Sequence, residues 1–183
     1  MATTPLPITL GGVSVTITDR NNVTRAAPLF FTSPGQVNFL VPEQTATGRA
    51  RVTVKKQDGS ATTGEVLVKA VAPGMFSANA DGAGIATALA TRVDAAGNQT
   101  YQPLSGYDTA EQRFVPVPLN PGAATDQTFL ILFGTGWRAQ SEFAGLDQIN
   151  VGPLPRTLAG RNAVNVDVRI DSKRANRVSL TIQ

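Results

Sequence analysis

No stretch of this chain runs far before it meets a residue pair that turns the backbone. Gly11-Gly12, Ser33-Pro34-Gly35, Asp58-Gly59, Ala72-Pro73-Gly74, Asp81-Gly82, Ala96-Gly97-Asn98 and Asn120-Pro121-Gly122 punctuate it from end to end. An amphipathic helix needs an unbroken apolar periodicity of about 10–12 residues, and the 17 Gly and 12 Pro leave no window that carries one. Between the turns the pattern has period two. Val13-Ser14-Val15-Thr16-Ile17-Thr18 alternates apolar and polar with β-branched residues throughout, which is a strand with one buried face. Val37–Val41, Arg51–Lys55, Glu65–Lys69, Thr128–Phe133, Val164–Ile170 and Arg177–Ile182 read the same way. Short helical turns are expected first near Leu104 to Glu111.

A repeat organises these strands. Gln36-Val37-Asn38-Phe39 matches Gln148-Ile149-Asn150-Val151, and at the same offset Thr45, Gly48, Arg49, Val52, Val54 and Val66 meet Thr157, Gly160, Arg161, Val164, Val166 and Val178. Each copy runs from a Gln-x-Asn strand through a Pro-containing stretch and a Gly-Arg turn into an alternating strand, a polar hairpin and a last strand. Two copies of one β-unit predict an all-β protein of two tandem immunoglobulin-like β-sandwich domains, residues 1–72 and 73–183. Their stability is expected from Val, Ile, Leu and Phe faces, at about 25 cal/mol per Å² of apolar surface buried.

Composition narrows the chemistry. The chain has no His and no Cys, so the usual general base, the commonest metal ligand, the thiolate nucleophile and every disulfide are absent together. Its 16 Lys and Arg against 13 Asp and Glu give a formal charge of +3. That excess is small and dispersed, which argues for solubility and against a nucleic-acid grip. No apolar run approaches the roughly 18 residues of a membrane span, so no membrane insertion is expected. The amino end lacks a basic and apolar leader, and any export signal is expected outside this chain.

Leu10-Gly11-Gly12-Val13-Ser14-Val15, Ala27-Pro28-Leu29-Phe30-Phe31, Ser33 to Phe39, Ala72-Pro73-Gly74-Met75-Phe76, Phe133-Gly134-Thr135-Gly136 and Asp147 to Val151 occur in one order. In that order they resemble an acidobacterial, Solibacter-type, uncharacterised C-terminal domain family, from about Pro5 to Gln183. The resemblance implies a module of large secreted or surface proteins, located outside the bacterial cell, with halves similar to bacterial immunoglobulin-like and IPT/TIG sandwiches. It implies no activity.

The second copy departs from that pattern. Only Arg138 to Asp147 separate Thr128–Trp137 from Gln148, so two alternatives stand: a loop-and-strand segment has been lost from this stretch of the sequence, or the second sandwich is incomplete and lacks a strand or hairpin. A sandwich lacking a strand leaves unpaired backbone groups and an apolar groove. The expected strand-accepting region is Phe133, Trp137, Phe143 and Ile149, to be filled by a segment of another protein or by self-association.

Each chemically suggestive residue also has a plain reading. Trp137, Tyr101 and Tyr107 are candidate stacking faces for an extracellular glycan, while a sole Trp in a sandwich is more often a core anchor. Gly134-Thr135-Gly136 lacks the Gly-Lys-[Ser/Thr] of a phosphate loop and reads as a strand-end turn. Asp81, Asp94 and Asp108 lie in loops without calcium-loop spacing and read as turn residues. Arg169, Lys173, Arg174 and Arg177 around one hairpin, with Lys55 and Lys56 in the other copy, read as charges that keep sheet edges apart. Neither Glu142 with Asp147 nor Asp108 with Glu111 is marked as a catalytic pair. A Lys–Asn cross-link would need a buried lysine such as Lys69. Asn22-Val23-Thr24 and Asn98-Gln99-Thr100 match the glycosylation acceptor pattern, which is frequent by chance.

No catalytic residue, metal or cofactor is therefore assigned. The leading expectation is a non-catalytic structural or interaction module that spaces, anchors or adheres. Two others stand beside it: a carbohydrate-binding accessory module, and a subunit completed by a partner's β-strand.

Overall fold

The computed structural model describes residues 5–137 and 146–183. The protein is all-β and built from several sheets. Its chain divides into two compact units, Met1–Ala70 and Val71–Gln183. Among the described residues the only helical element is a single 3-10 turn, Arg156–Leu158, and no helix is long and apolar enough to cross a membrane.

The first unit comprises β1 (Thr9–Leu10), β2 (Val13–Thr18), β3 (Thr24–Ala27), β4 (Leu29–Ser33), β5 (Gln36–Phe39), β6 (Gly48–Lys55) and β7 (Ala61–Val68). One antiparallel sheet has the order β1-β2-β6-β7, with β3 also on β2, and β4 pairs with β5 in a second. Pro28 separates β3 from β4, where the chain passes from one sheet to the other. Val15 and Ile17 of β2, Ala27, Leu29 and Ala50 are buried in one core, and Val37 and Phe39 of β5 pack on it. Alternation in β2 places Val15 and Ile17 inward, as its period requires.

The second unit comprises β8 (Gly74–Met75), β9 (Ala88–Val93), β10 (Gln99–Pro103), β11 (Ser105–Asp108), β12 (Arg113–Pro116), β13 (Gln127–Thr135), β14 (Asp147–Val151), β15 (Asn162–Val166), β16 (Arg169–Ile170), β17 (Lys173–Arg174) and β18 (Val178–Ile182). The main sheet has the order β10-β9-β13-β14, with β8 on the end of β13. β11–β12, β15–β18 and β16–β17 form antiparallel pairs. Leu130 and Leu132 of β13 lie opposite Ala90 and Ala88 of β9, so large and small residues alternate across the sheet. All four are buried with Val178, Leu180 and Ile182 of β18 and with Trp137.

The hairpins explain much of the turn chemistry. In β2–β3, β6–β7 and β9–β10 the first residue of each loop closes on the fifth: Asp19 N–H donates to Val23 O, Lys56 N–H to Ser60 O and Asp94 N–H to Asn98 O. The fourth residue adopts positive φ in each, Asn22 at 60°, Gly59 at 85° and Gly97 at 85°. Asn and Gly are the residues that tolerate that conformation.

The repeat is present in the strand pairing. β5 and β14 each lie antiparallel to a preceding Leu-bearing strand, with Leu29 opposite Phe39 in one unit and Leu130 opposite Val151 in the other. Gln36 Nε2 donates to Asn38 Oδ1 at 2.7 Å, and Gln148 Nε2 to Asn150 Oδ1 at 2.9 Å. β6–β7 and β15–β18 then pair in both units, but in different registers. Val66 is opposite Ala50, whereas Val178 is opposite Val166. Val66 is 44% exposed and Val178 is 1% exposed, so their sequence match does not mark equivalent positions. The extra β16–β17 hairpin accounts for the offset.

Two expectations are corrected. Leu104–Glu111 holds no helical turn, because Ser105–Asp108 pairs with Arg113–Pro116 as a hairpin. Val164–Ile170 is two strands, β15 and β16, instead of one. β9 and β10 are strands the alternation did not reveal, since the buried face of β9 is made of alanine.

Candidate interaction surfaces

The carboxylates of the described residues are largely engaged in holding turns. Asp19 Oδ1 accepts the N–H groups of Asn21 and Val23, and Asp94 Oδ1 accepts those of Ala96 and Asn98, the same arrangement in two hairpins. Asp19 is buried and gains two further partners on Oδ2, the Ala46 N–H at 3.1 Å and the Arg25 guanidinium at 2.8 Å. Led by the Ala46 N–H, these donors outweigh desolvation and hold its pKa at about 2, against an ordinary 3.8.

The loop aspartates shift the same way for local reasons. The Asn98 side chain lowers Asp94, the Ala83 N–H lowers Asp81, and the Glu111 N–H lowers Asp108. Each of these carboxylates is thus satisfied within its own turn. Among the described residues no three His, Cys, Asp or Glu converge as a metal site would require. Arg174 and Arg177 both reach Asp167, so the basic hairpin carries its own counter-charge.

The aromatic candidates separate. Trp137 is only 3% exposed and packs over Gly134, so it offers no face for a ligand, and that expectation is corrected. Its backbone N–H donates to Asp147 Oδ2, while the indole N–H has no partner among the described residues. Tyr101 on β10 is 63% exposed and Tyr107 on β11 is 56% exposed. Tyr107 meets Phe114 of β12 edge to face, with ring centroids 5.4 Å apart. No ring contact joins Tyr101 to Tyr107 among the described residues. Tyr101 instead borders a depression of about 190 Å³ lined by Ala90, Arg92, Thr100, Gln102, Leu119 and Asn120.

The expected strand-accepting region takes a different form. Phe133 lies on β13, which pairs with β9 and β8 on one side and with β14 on the other. Ile149 lies on β14, opposite Leu132. The Gln148 strand therefore pairs directly with β13, which leaves no slot between Phe133 and Ile149 among the described residues, and Trp137 is buried in the core against which Ile149 packs. Phe143 and Glu142 lie outside the described residues.

An open edge is found on β15 instead. The N–H groups of Ser179 and Leu119 donate to Gly84 O and Thr181 O, so Ser179 and Thr181 turn their backbone groups away from β15. Val178, Leu180 and Ile182 must then make the ladder to β15, which leaves Ala163 and Asn165 facing outward with no strand beyond them among the described residues. In the first unit β2 occupies the corresponding side of β6.

A longer edge went unread in the sequence. β7 has β6 on one side and no strand on the other among the described residues, and seven of its eight residues are exposed. The Lys56–Ser60 bond sets the ladder phase, so Thr62, Gly64, Val66 and Val68 bond to β6. Ala61, Thr63, Glu65 and Leu67 turn their N–H and C=O groups outward. Val66 and Leu67 are 44% and 59% exposed. The alternation of Val66 and Val68 announces a strand, but an edge is a non-local property.

Gly134-Thr135-Gly136 ends β13, where a side chain on Gly134 would strike the Gly74 carbonyl and the Trp137 ring. Lys69 is exposed, which removes the burial that an intramolecular cross-link needs. Comparison of the chain with protein-family models, curated proteins and solved structures finds no match.

Proposed function

We propose that the chain is a non-catalytic structural or interaction module, of the spacing, anchoring or adhesive kind, with immunoglobulin-like units. The observation that carries this reading is the β7 edge, eight residues of strand with four outward backbone pairs and no strand beside them among the described residues, in a protein where Asp19, Asp58, Asp81, Asp94, Asp108 and Asp126 serve its own turns. The motif resemblance supports placing it on or outside a bacterial cell. Purified chain incubated with chromogenic glycosides, esters, phosphoesters and peptides should show no turnover above buffer. Turnover that disappears when a described carboxylate is replaced would overturn the reading.

A second reading, carbohydrate binding, is favoured by one feature. Exposed Tyr101 borders a depression of mixed lining, Ala90 and Leu119 beside Arg92, Gln102 and Asn120, which sets a stacking face next to hydrogen-bonding groups. Retention on a polysaccharide gel that is lost in Tyr101→Ala, with unchanged melting, would support it. Absence of retention across glucans, mannans, xylans and uronic polymers would remove it.

A further inference from the structure

We propose that two copies of this chain pair through β7, antiparallel, about a two-fold axis at Gly64. The proposal rests on the reading of the chain as an interaction module and names its partner.

The geometry is self-complementary. Outward-facing Ala61, Thr63, Glu65 and Leu67 are spaced symmetrically about Gly64. Turning a second β7 end for end sets Thr63 opposite Glu65 of the second copy and Ala61 opposite Leu67, each a hydrogen-bonded pair. Every outward N–H and C=O of the strand then finds a partner, and no other register does this while remaining two-fold.

Charge permits the same pairing. Glu65 is the only charged residue of β7, and Arg49 of its own chain holds it at 3.2 Å. Across the axis Glu65 faces a threonine hydroxyl and not another carboxylate. On the opposite face Val66 meets Thr62, a β-branched pair of the kind that stabilises antiparallel neighbours.

β7 also lacks the devices that close other edges. It has no proline, lysine or bulge between Ala61 and Val68. β10 ends in Pro103, and Asn79 bonds to both backbone groups of Phe114 on β12. Gly84 and Leu119 cover the outer side of β18. β15 offers only two outward residues, Ala163 and Asn165, half of what β7 presents.

The test is light scattering on a concentration series of the full chain. A dimer of twice 19.2 kDa should form with rising concentration. Thr63→Glu sets two carboxylate pairs opposite each other and should weaken it about tenfold, whereas Thr63→Lys should strengthen it. Position 63 is exposed, so melting of the dilute monomer should change little in either variant.

Crosslinking then checks the register. The chain has no cysteine of its own. Gly64→Cys should form a disulfide dimer under mild oxidation, because residues paired at the axis sit about 4.5 Å apart. Leu67→Cys should not, since its copies would lie about 20 Å apart along the paired strands. A monomer at every concentration, a dimer indifferent to both Thr63 changes, or crosslinking equal at positions 64 and 67 overturns the proposal. A monomer that turns over no substrate overturns the β7 pairing alone, whereas turnover overturns the module reading whatever the mass.

Discussion

Asp19 Oδ2 accepts the backbone N–H of Ala46 at 3.1 Å, joining a hairpin tip to the chain just before β6. The same carboxylate closes its own turn and binds Arg25, so one buried side chain fixes both the β2–β3 hairpin and the entry to the central strand. Asp19→Asn should lower the melting midpoint of the first unit, because one amide cannot accept from all four donors and brings its own N–H against them. Asp94→Asn, whose carboxylate serves only its own exposed loop, should have the smaller effect. Thermal melts by circular dichroism compare them.

Acid should expose the same residue. The folded pKa of Asp19 is about 2 and its ordinary value 3.8. A depressed carboxylate adds stability that is present above about pH 4 and is lost as pH falls towards 2. Denaturant midpoints between pH 5 and pH 2 should therefore fall, and fall less steeply in Asp19→Asn. Equal slopes would remove Asp19 from the acid sensitivity.

Two leucines of the first unit should behave in opposite ways. Leu29 is fully buried, and Leu29→Ala should cost about 2–5 kcal/mol through lost burial and the cavity left behind. Leu67 is 59% exposed, and Leu67→Ala in dilute solution should stay within about 0.5 kcal/mol. Chemical denaturation at low protein concentration separates them.

Asn176 clamps β8. Its Oδ1 accepts the Met75 N–H, and its Nδ2 donates to the carbonyls of Met75 and Gly82. Asn176→Ala should destabilise the second unit by about 1–3 kcal/mol, and the Met75 amide should exchange with deuterium faster than in the parent.

Gly134 and Gly35 are a matched steric pair. A Cβ on Gly134 would collide with the Gly74 backbone and the Trp137 ring, while one on Gly35 meets nothing. Gly134→Ala should cost about 1–3 kcal/mol or more and shift the fluorescence of Trp137, the sole tryptophan. Gly35→Ala should leave both stability and emission unchanged.

The legible parts of this fold are those made by near neighbours. Val13–Thr18 is a strand with the predicted bounds, because its alternation is complete within six residues. Gln36 with Asn38 and Gln148 with Asn150 repeat one i to i+2 contact, so the repeat survives into structure. Asp94 closes its loop through groups two and four residues away, which is why turn chemistry named its role. β9 stayed hidden because Ala88 and Ala90 carry no β-branched signal, yet each is buried. Tyr107 sat in an expected helical turn until Phe114 opposite it made a hairpin.

Sequence alone determined that the chain is all-β, where it turns, and that one β-unit occurs twice, since each depends on backbone preferences and contacts a few residues long. Tertiary structure alone decided which strands end as edges. β7 and β18 follow corresponding strands, yet Val66, opposite buried Ala50, is exposed while Leu180, opposite Val164, is buried. The difference lies in what arrives from elsewhere: Gly84 and Leu119 reach β18, and among the described residues no strand pairs with the outer side of β7. Strand edges are closed by distant residues, so no local pattern records whether a closing residue comes.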